Sequence, residues 1–337
     1  MALRPDDVLV LRALGLGDAL TGVAALRGVR RAWPGRRLVL AAPPAVGGFL
    51  VRRGVVDAVL PARGLEPLRD AGRGGHVAVD LHGRGPESHR VLTATRPGRL
   101  VAFAGPGAHD GPGFRPDEHE VDRWCRLVSG AGGPCGPDDL RLEVPDEQRS
   151  SRAGEVVLLH PGAASGARRW PADRWGALGA RLTTTGWAVA VTGGPDERAL
   201  AGRVAHLAGA GARDLSGALD LDALAALVAG ARLLVCGDTG VAHLATAVGT
   251  PSVLLFGPTP PAGWGPRIDP ERHQVLWRGG PGYAGDPHGT EVDPALDRIT
   301  VDQAWDAVGR ALVARATPAP AAPRRTTRPS APDPSPR

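Results

Sequence analysis

Four polar turns carry the side chains that could do chemistry. In the first, RALGLGDAL, Asp18 directly follows Gly15 and Gly17, where an apolar strand gives way to a helix. Glycines there permit close backbone approach, and the free N–H groups of a helix start attract an anion or a ligand. A carboxylate in this place is either an N-cap or a chemical base. Both roles are open for Asp18.

The second turn, LLHPGAASGARRWPADRW, holds Gly162 and the adjacent Arg168 and Arg169. An apolar strand ends in small residues, and Pro171 opens the next helix. Two arginines beside free backbone amides suit a diphosphate clamp. The alternative is a pair of ordinary surface arginines, which are common in this chain.

The third turn, VAVTGGPDE, ends a strand in Gly193 and Gly194. Bare backbone at the carboxyl end of a parallel strand lies where open α/β sheets bind ligands. Glu197 could accept hydrogen bonds from ribose hydroxyls. It could equally be a solvated carboxylate that complements the helix dipole.

The fourth turn, LLVCGDTGVAHLATAVGTPSVLLFGPT, is the most specific of the four. Asp238, Thr239 and Gly240 connect a strand to a helix, so the first amides of that helix form an anion site. His243 comes one helical turn later. It is either structural or close enough to bind a phosphate or orient Asp238.

The elements that must position these turns are strands alternating with helices. This alternation predicts right-handed crossovers and mostly parallel sheets, an α/β class with two doubly wound units. Helices are expected over 19–33, 172–185, 195–208, 240–248 and 300–314, the last with a Thr cap. Strands are expected at VLVLRAL, RLVLAAP, HVAVDLHG, RLVAFAG, 156–160, 187–192, 232–236 and PSVLLFG.

Composition divides the chain into three parts. A Gly-, Pro- and charge-rich stretch before EVVLLHPG separates residues 1–150 from 151–315. Residues 316–337 are rich in Pro and Arg, have little to bury, and are predicted to be disordered.

Charge and cysteine usage exclude several function classes. The net charge is +5, of which the tail supplies +3, so the body offers no stripe for nucleic acid. The three cysteines, Cys125, Cys135 and Cys236, match neither a zinc nor a disulfide pattern.

There is no signal peptide and no apolar run of membrane-spanning length, which predicts a cytoplasmic protein that at most touches a membrane surface. No GxSxG, HExxH or Walker motif occurs.

The ordered motifs resemble those of glycosyltransferase family 9. They are GLGDAL, HPGAASGARRWPADRW, VTGGPDE, DTGVAHLATAVGTPSVLLFGPT and a closing ITVDQAWDAV. The resemblance implies a GT-B fold, two Rossmann-like domains that face a cleft. It places the acceptor in residues 1–150 and the nucleotide-sugar donor in residues 151–315.

Members of this family typically move a heptose from ADP-heptose to the inner core of lipopolysaccharide, with inversion and without a metal ion or other cofactor. By resemblance, Asp18 is the catalytic aspartate and Arg168 or Arg169 the phosphate-binding residue. The remaining donor-site residues implied are Gly17, Gly162, Gly193, Gly194, Glu197, Asp238, Thr239, Gly240 and His243. His82 and Arg84 are assigned to a glycan or glycolipid acceptor, in an enzyme that could contact the inner membrane surface.

Three rival interpretations stay open. The chain could use another nucleotide sugar and an acceptor other than lipopolysaccharide. It could be a nicotinamide-dependent oxidoreductase, since GLGD imitates part of that fingerprint, but the second strand ends LAAPP instead of in the expected acidic residue. It could also be a nucleotide-sugar-binding protein without turnover.

Overall fold

The structure is a computed structural model that describes residues 3–69, 74–108, 110–145 and 155–314. The strands before residue 145 form one parallel sheet, and those after residue 155 form a second. The predicted α/β class with two parallel sheets is confirmed. The predicted boundary at residue 150 and the tail 316–337 lie outside the described residues.

The first sheet has five strands in the order β3-β2-β1-β4-β5, all parallel. Its central strand β1 is apolar and fully buried, as a strand covered on both faces should be. The strands are β1 Val8–Leu11, β2 Leu38–Ala42, β3 Ala58–Pro61, β4 Val77–Asp80 and β5 Arg99–Val101. The helices are α1 Leu16–Thr21, α2 Val23–Ala32, α3 Pro44–Arg52, α4 Glu87–Thr93 and α5 Glu120–Gly130.

The second sheet has six parallel strands in the order β11-β10-β9-β6-β7-β8. This is the doubly wound order of dinucleotide-binding folds, in which ligands bind at the carboxyl ends of the strands. The strands are β6 Val156–His160, β7 Ala188–Val191, β8 Ala212–Asp214, β9 Leu233–Gly237, β10 Ser252–Leu255 and β11 His273–Leu276. The helices are α6 Ala172–Thr184, α7 Arg198–Ala208, α8 Leu221–Gly230, α9 Gly240–Val248, α10 Pro261–Trp264, α11 Pro294–Asp297 and α12 Val301–Ala314.

Of two helix predictions with local detail, one differs from the structure and one is confirmed. The helix predicted over 19–33 is two helices that meet at Gly22, where a Cβ atom would lie 2.8 Å from Cδ of Arg12. The break therefore makes room for the Arg12 side chain. The predicted Thr cap is confirmed, because Thr300 Oγ1 accepts from the Gln303 N–H at 3.2 Å and the Gln303 side chain accepts from the Thr300 N–H.

One apolar core cluster includes residues of both halves, from Val8 to Ile268. A hydrogen bond and an ion pair also connect the two halves: the Leu142 N–H donates to the Ala247 carbonyl, and Arg141 pairs with Asp269 at 2.8 Å. Across the described ranges, no helix is both long and apolar enough to cross a membrane.

Candidate functional site

Asp18 is the third residue of α1, and the N-cap of that helix is Gly15. The N-cap interpretation of Asp18 is therefore wrong, because the carboxylate lies inside the first turn and not at the capping position. Its side chain is 32% exposed. Burial raises the pKa of Asp18, while the nearby Arg12 guanidinium opposes that rise. A carboxylate held above its usual pKa is better able to accept a proton.

Sequence reasoning missed Arg12, the residue that follows β1. Its side chain is 1% exposed, and Nη2 lies 4.0 Å from Asp18 Oδ1 and 3.1 Å from Glu120 Oε1. The signal was available, since an arginine within the apolar run VLVLRAL must find partners if it is buried. The partner Glu120 comes from a distant segment that the sequence did not connect to it.

The two adjacent arginines have different surroundings. Arg169 Nε and Nη2 donate to the Ala163 carbonyl at 3.0 and 2.8 Å, which ties this guanidinium to its own loop. Arg168 Nη1 lies 3.9 Å from Asp238 Oδ2, and its Nε finds no hydrogen-bond partner among the described residues. The structure therefore favours Arg168 as the arginine with donor capacity left for a ligand.

The turn before α9 supplies a buried carboxylate and a helix start. Thr239 is the N-cap of α9, and the helix begins at Gly240. Burial raises the pKa of Asp238 to about 6, while Arg168 acts in the opposite direction. Asp238 directly precedes this N-cap and lies 3.9 Å from the Arg168 guanidinium, and helix-start amides beside an arginine suit a diphosphate.

His243 lies at the contact between the halves. A Cβ atom on Gly17 would come within 3.0 Å of its ring, and the Trp264 ring centroid is 6.1 Å away. Burial lowers the pKa of His243 to about 4, so the imidazole is neutral at neutral pH. These contacts show a packing role, and a phosphate-binding role stays a prediction.

Glu197 folds back over the ends of β6 and β7. Its Oε2 accepts from the Gly194 N–H at 2.7 Å and lies 4.0 Å from His160 Nε2. Glycine at position 162 leaves room for this carboxylate, because a Cβ atom there would lie 2.1 Å from Glu197 Oε1 and would displace it. The carboxylate is therefore held by the turn and is not the freely solvated group of the alternative interpretation. A ribose contact stays a prediction.

The acceptor-side residues also differ from one another. His82 Nδ1 accepts from the Ala13 N–H at 3.2 Å, and burial lowers the pKa of His82. The neutral ring therefore carries its proton on Nε2, where it can donate to a ligand. Arg84 is exposed.

Charges from the two halves act on one another at this place. Arg168 lowers the pKa of Asp18, and Asp18 raises the pKa of Asp238. The geometry thus brings the predicted base of one half and the predicted phosphate-binding arginine of the other to a single site. Among the described residues, no group of three His, Cys, Asp or Glu side chains could hold a metal ion.

The family model of glycosyltransferase family 9 (heptosyltransferase) matches residues 109–278, half of the chain. The chain belongs to glycosyltransferase family 9. The matched region contains the predicted donor turns at Gly162, Arg168, Gly193 and Asp238, whereas Asp18 lies before it.

A curated relative of this family 9 chain is lipopolysaccharide heptosyltransferase 1 of Pseudomonas aeruginosa, 40% identical over 149 residues. The aligned segment covers 43% of the chain and 41% of that relative, so the chain matches about two fifths of the relative's length.

Solved structures extend the likeness to both halves of the family 9 chain. The E. coli ADP-heptose LPS heptosyltransferase II superposes with a TM-score of 0.73 at 19% identity, over 92% of this chain and all of the other. The iron-containing glycosyltransferase TibC of enterotoxigenic E. coli superposes with a TM-score of 0.59 at 16% identity, over 94% and 78% of the two chains. These superpositions confirm the GT-B fold.

Proposed function

We propose that the chain is an inverting glycosyltransferase that moves a heptose from ADP-heptose to a hydroxyl group of a cell-envelope glycan or glycolipid. The observation that carries the proposal is the convergence of Asp18 and Arg168 from opposite halves. A base and a cation on opposite sides of a cleft are what transfer from a diphosphate leaving group requires. The donor follows from the relatives, which are named as heptosyltransferases and in one case as ADP-heptose enzymes.

In the reaction, Asp18 takes the proton of the acceptor hydroxyl, and the hydroxyl oxygen attacks the anomeric carbon. A new glycosidic C–O bond forms on one face while the C–O bond to the diphosphate breaks on the other, so the anomeric centre inverts. The departing diphosphate gains negative charge. Arg168 and the amides at the start of α9 stabilise that charge as it develops.

The other predicted residues complete the two subsites. Glu197 and the bare backbone of Gly193 and Gly194 would receive the ribose, and His82 would donate from Nε2 to the acceptor. The proposal requires no cofactor and no metal ion. A cytoplasmic location, with contact at the inner membrane surface where a glycolipid acceptor lies, is part of the same proposal.

The proposal is tested by a thermal-shift panel of nucleotide sugars that includes ADP-heptose, UDP-glucose, GDP-mannose and NADH. A ligand at 100 times its dissociation constant stabilises the folded protein by about 2.7 kcal/mol. ADP-heptose should give the largest shift and should be consumed when an inner-core oligosaccharide is added. A larger shift with another nucleotide sugar would identify that nucleotide sugar as the donor. A shift with NADH alone would replace transfer by redox chemistry, and binding without consumption of any donor would indicate a binding protein.

A further inference from the structure

Arg12 is buried behind Asp18 and bonds to two separate parts of the first half, α1 and the residue that follows β4. Its Nε donates to the Asp18 carbonyl, Nη1 donates to the Leu81 carbonyl, and Nη2 donates to Thr21 Oγ1 at 3.0 Å. Asp18 and Thr21 belong to α1, and Leu81 follows β4. One guanidinium therefore fixes the helix that carries Asp18 against the end of the sheet.

Glu120, the first residue of α5, is the acidic partner of this arginine. It is 5% exposed, and its Oε1 accepts from Arg12 Nη2 at 3.1 Å and from Trp124 Nε1 at 2.6 Å. Oε2 accepts from Arg123. The Arg12 guanidinium also lies 5.0 Å from the centre of the Trp124 ring. These bonds hold Glu120 in one orientation inside the first half.

The charged groups around Asp18 come from four places. Arg12 follows β1, Glu120 begins α5, and Arg168 and Asp238 belong to the second half. His243 faces the same place from α9 but is neutral at neutral pH. Arg12 and Arg168 favour the charged form of Asp18, whereas burial and Glu120 favour the protonated form. The protonation state of Asp18 therefore depends on two neighbouring groups with opposite effects, since Arg12 lowers its pKa and Glu120 raises it.

We propose that Arg12 and Glu120 act together as positioning residues: Arg12 orients α1 and Asp18, and Glu120 offsets the Arg12 charge beside Asp18. This inference rests on the proposed function, in which Asp18 is the base. Without Glu120, no carboxylate would offset the Arg12 charge beside Asp18, which would favour the charged form of Asp18 and make it a poorer base.

The test is the pH profile of turnover for Glu120→Gln. Loss of the negative charge should move the acidic limb of the kcat profile to lower pH by about one unit, since nearby charges shift pKa values by this order. The plateau should fall by several-fold, to at most about tenfold, as the base weakens. The KM for the donor should stay near its normal value, because Glu120 lies away from the predicted diphosphate site.

Two further variants serve as controls. Glu120→Asp keeps the charge, so its acidic limb should stay at the wild-type pH even if turnover drops. Glu118→Gln removes another carboxylate beside α5, one that pairs with Arg126 at 2.8 Å and has no bond to Arg12. Its limb and plateau should both match the wild type.

A Glu120→Gln profile that falls in height without moving would overturn the inference and leave Glu120 a purely structural residue. If Glu120→Gln does not fold, a limb in Glu120→Asp that moves to lower pH would overturn it equally. Asp18→Asn separates the two proposals. Full transfer by Asp18→Asn defeats the proposed base, whereas loss of transfer with an unmoved limb in Glu120→Gln defeats only the positioning role.

Discussion

Gly17 of α1 and Gly240 of α9 pack backbone against backbone across the two halves: a Cβ atom on Gly17 would lie 3.3 Å from the Gly240 Cα. The turn that carries Asp18 and the turn that carries Asp238 can approach this closely only because neither glycine has a side chain. The contact sets the distance between the proposed base and the proposed phosphate site.

Gly240→Ala should separate these two turns. Its new Cβ atom would lie 2.9 Å from Leu16 Cβ and 3.0 Å from the Gly17 nitrogen, which forces the backbone to move. We expect turnover to fall by at least about tenfold, since small displacements of reacting groups are costly. Gly309→Ala in α12 meets no atom within 4 Å and should raise the melting temperature. Normal turnover by Gly240→Ala would show that the close contact is dispensable.

Asp18→Asn should abolish the proton acceptor with little effect on the fold. Because Gly15 caps α1, the change removes no capping bond, and stability should stay within about 1 kcal/mol. Turnover should fall by roughly 10²- to 10⁴-fold while donor affinity, measured by calorimetry, stays intact. The exposed Asp6→Asn is the matched control. Retained transfer in Asp18→Asn would move the base to another residue.

Arg168→Gln and Arg169→Gln should have different effects. Loss of Arg168 should weaken donor binding by about 1.5 to 3 kcal/mol, the contribution of a charge-assisted bond. Loss of Arg169 removes two hydrogen bonds to the Ala163 carbonyl, so its main effect should be a lower melting temperature and not weaker donor binding. Calorimetric donor titrations and melting curves of both variants check this, and the reverse pattern would assign the diphosphate to Arg169.

Asp238→Asn should change how stability depends on pH. The folded-state pKa of Asp238 is about 6, above the unfolded value of 3.8, so the folded protein binds the proton more tightly. Stability therefore falls as pH rises from about 4 through 6 and stays lower above it. Asp238→Asn removes this loss, and its melting temperature should exceed the wild-type value at pH 8 but not at pH 4. If the melting temperatures of the variant and the wild type change in parallel between pH 4 and pH 8, the raised pKa of Asp238 is contradicted.

Turnover should survive EDTA and should not require added magnesium. The sequence holds one D-x-D pair, Asp220 and Asp222, a pattern that often binds a metal in other glycosyltransferases. Here Asp220 caps α8 by accepting from the Ala223 N–H at 2.8 Å, and Asp222 pairs with Arg52 and Arg53. Both carboxylates therefore already have partners within the protein. Loss of activity in EDTA with recovery in magnesium would disprove the arginine clamp.

Local patterns in the sequence determined the fold class and the four turns. Apolar runs such as VLVLRAL and LLVCG contain buried strands, and each polar turn follows the carboxyl end of a strand. These features are predictable because the burial and parallel pairing of a strand follow from its local composition. The short strands β3, β8 and β11 were not predicted. They lie at the edges of their sheets and pair with one neighbour each. β8 (ARD) and β11 (HQVL) carry little apolar signal, and β3 (AVLP) is a short apolar run that ends in proline.

Only the tertiary structure decided which predicted residues work together. Nothing in the sequence near Arg168 and Arg169 distinguishes them, and the loop geometry ties one to Ala163 and leaves the other beside Asp238. The bond between Arg12 and Glu120 joins residues 108 positions apart in the chain. Such a pairing depends on how α5 packs behind the sheet, and long-range packing is not encoded in the periodicity of any one segment.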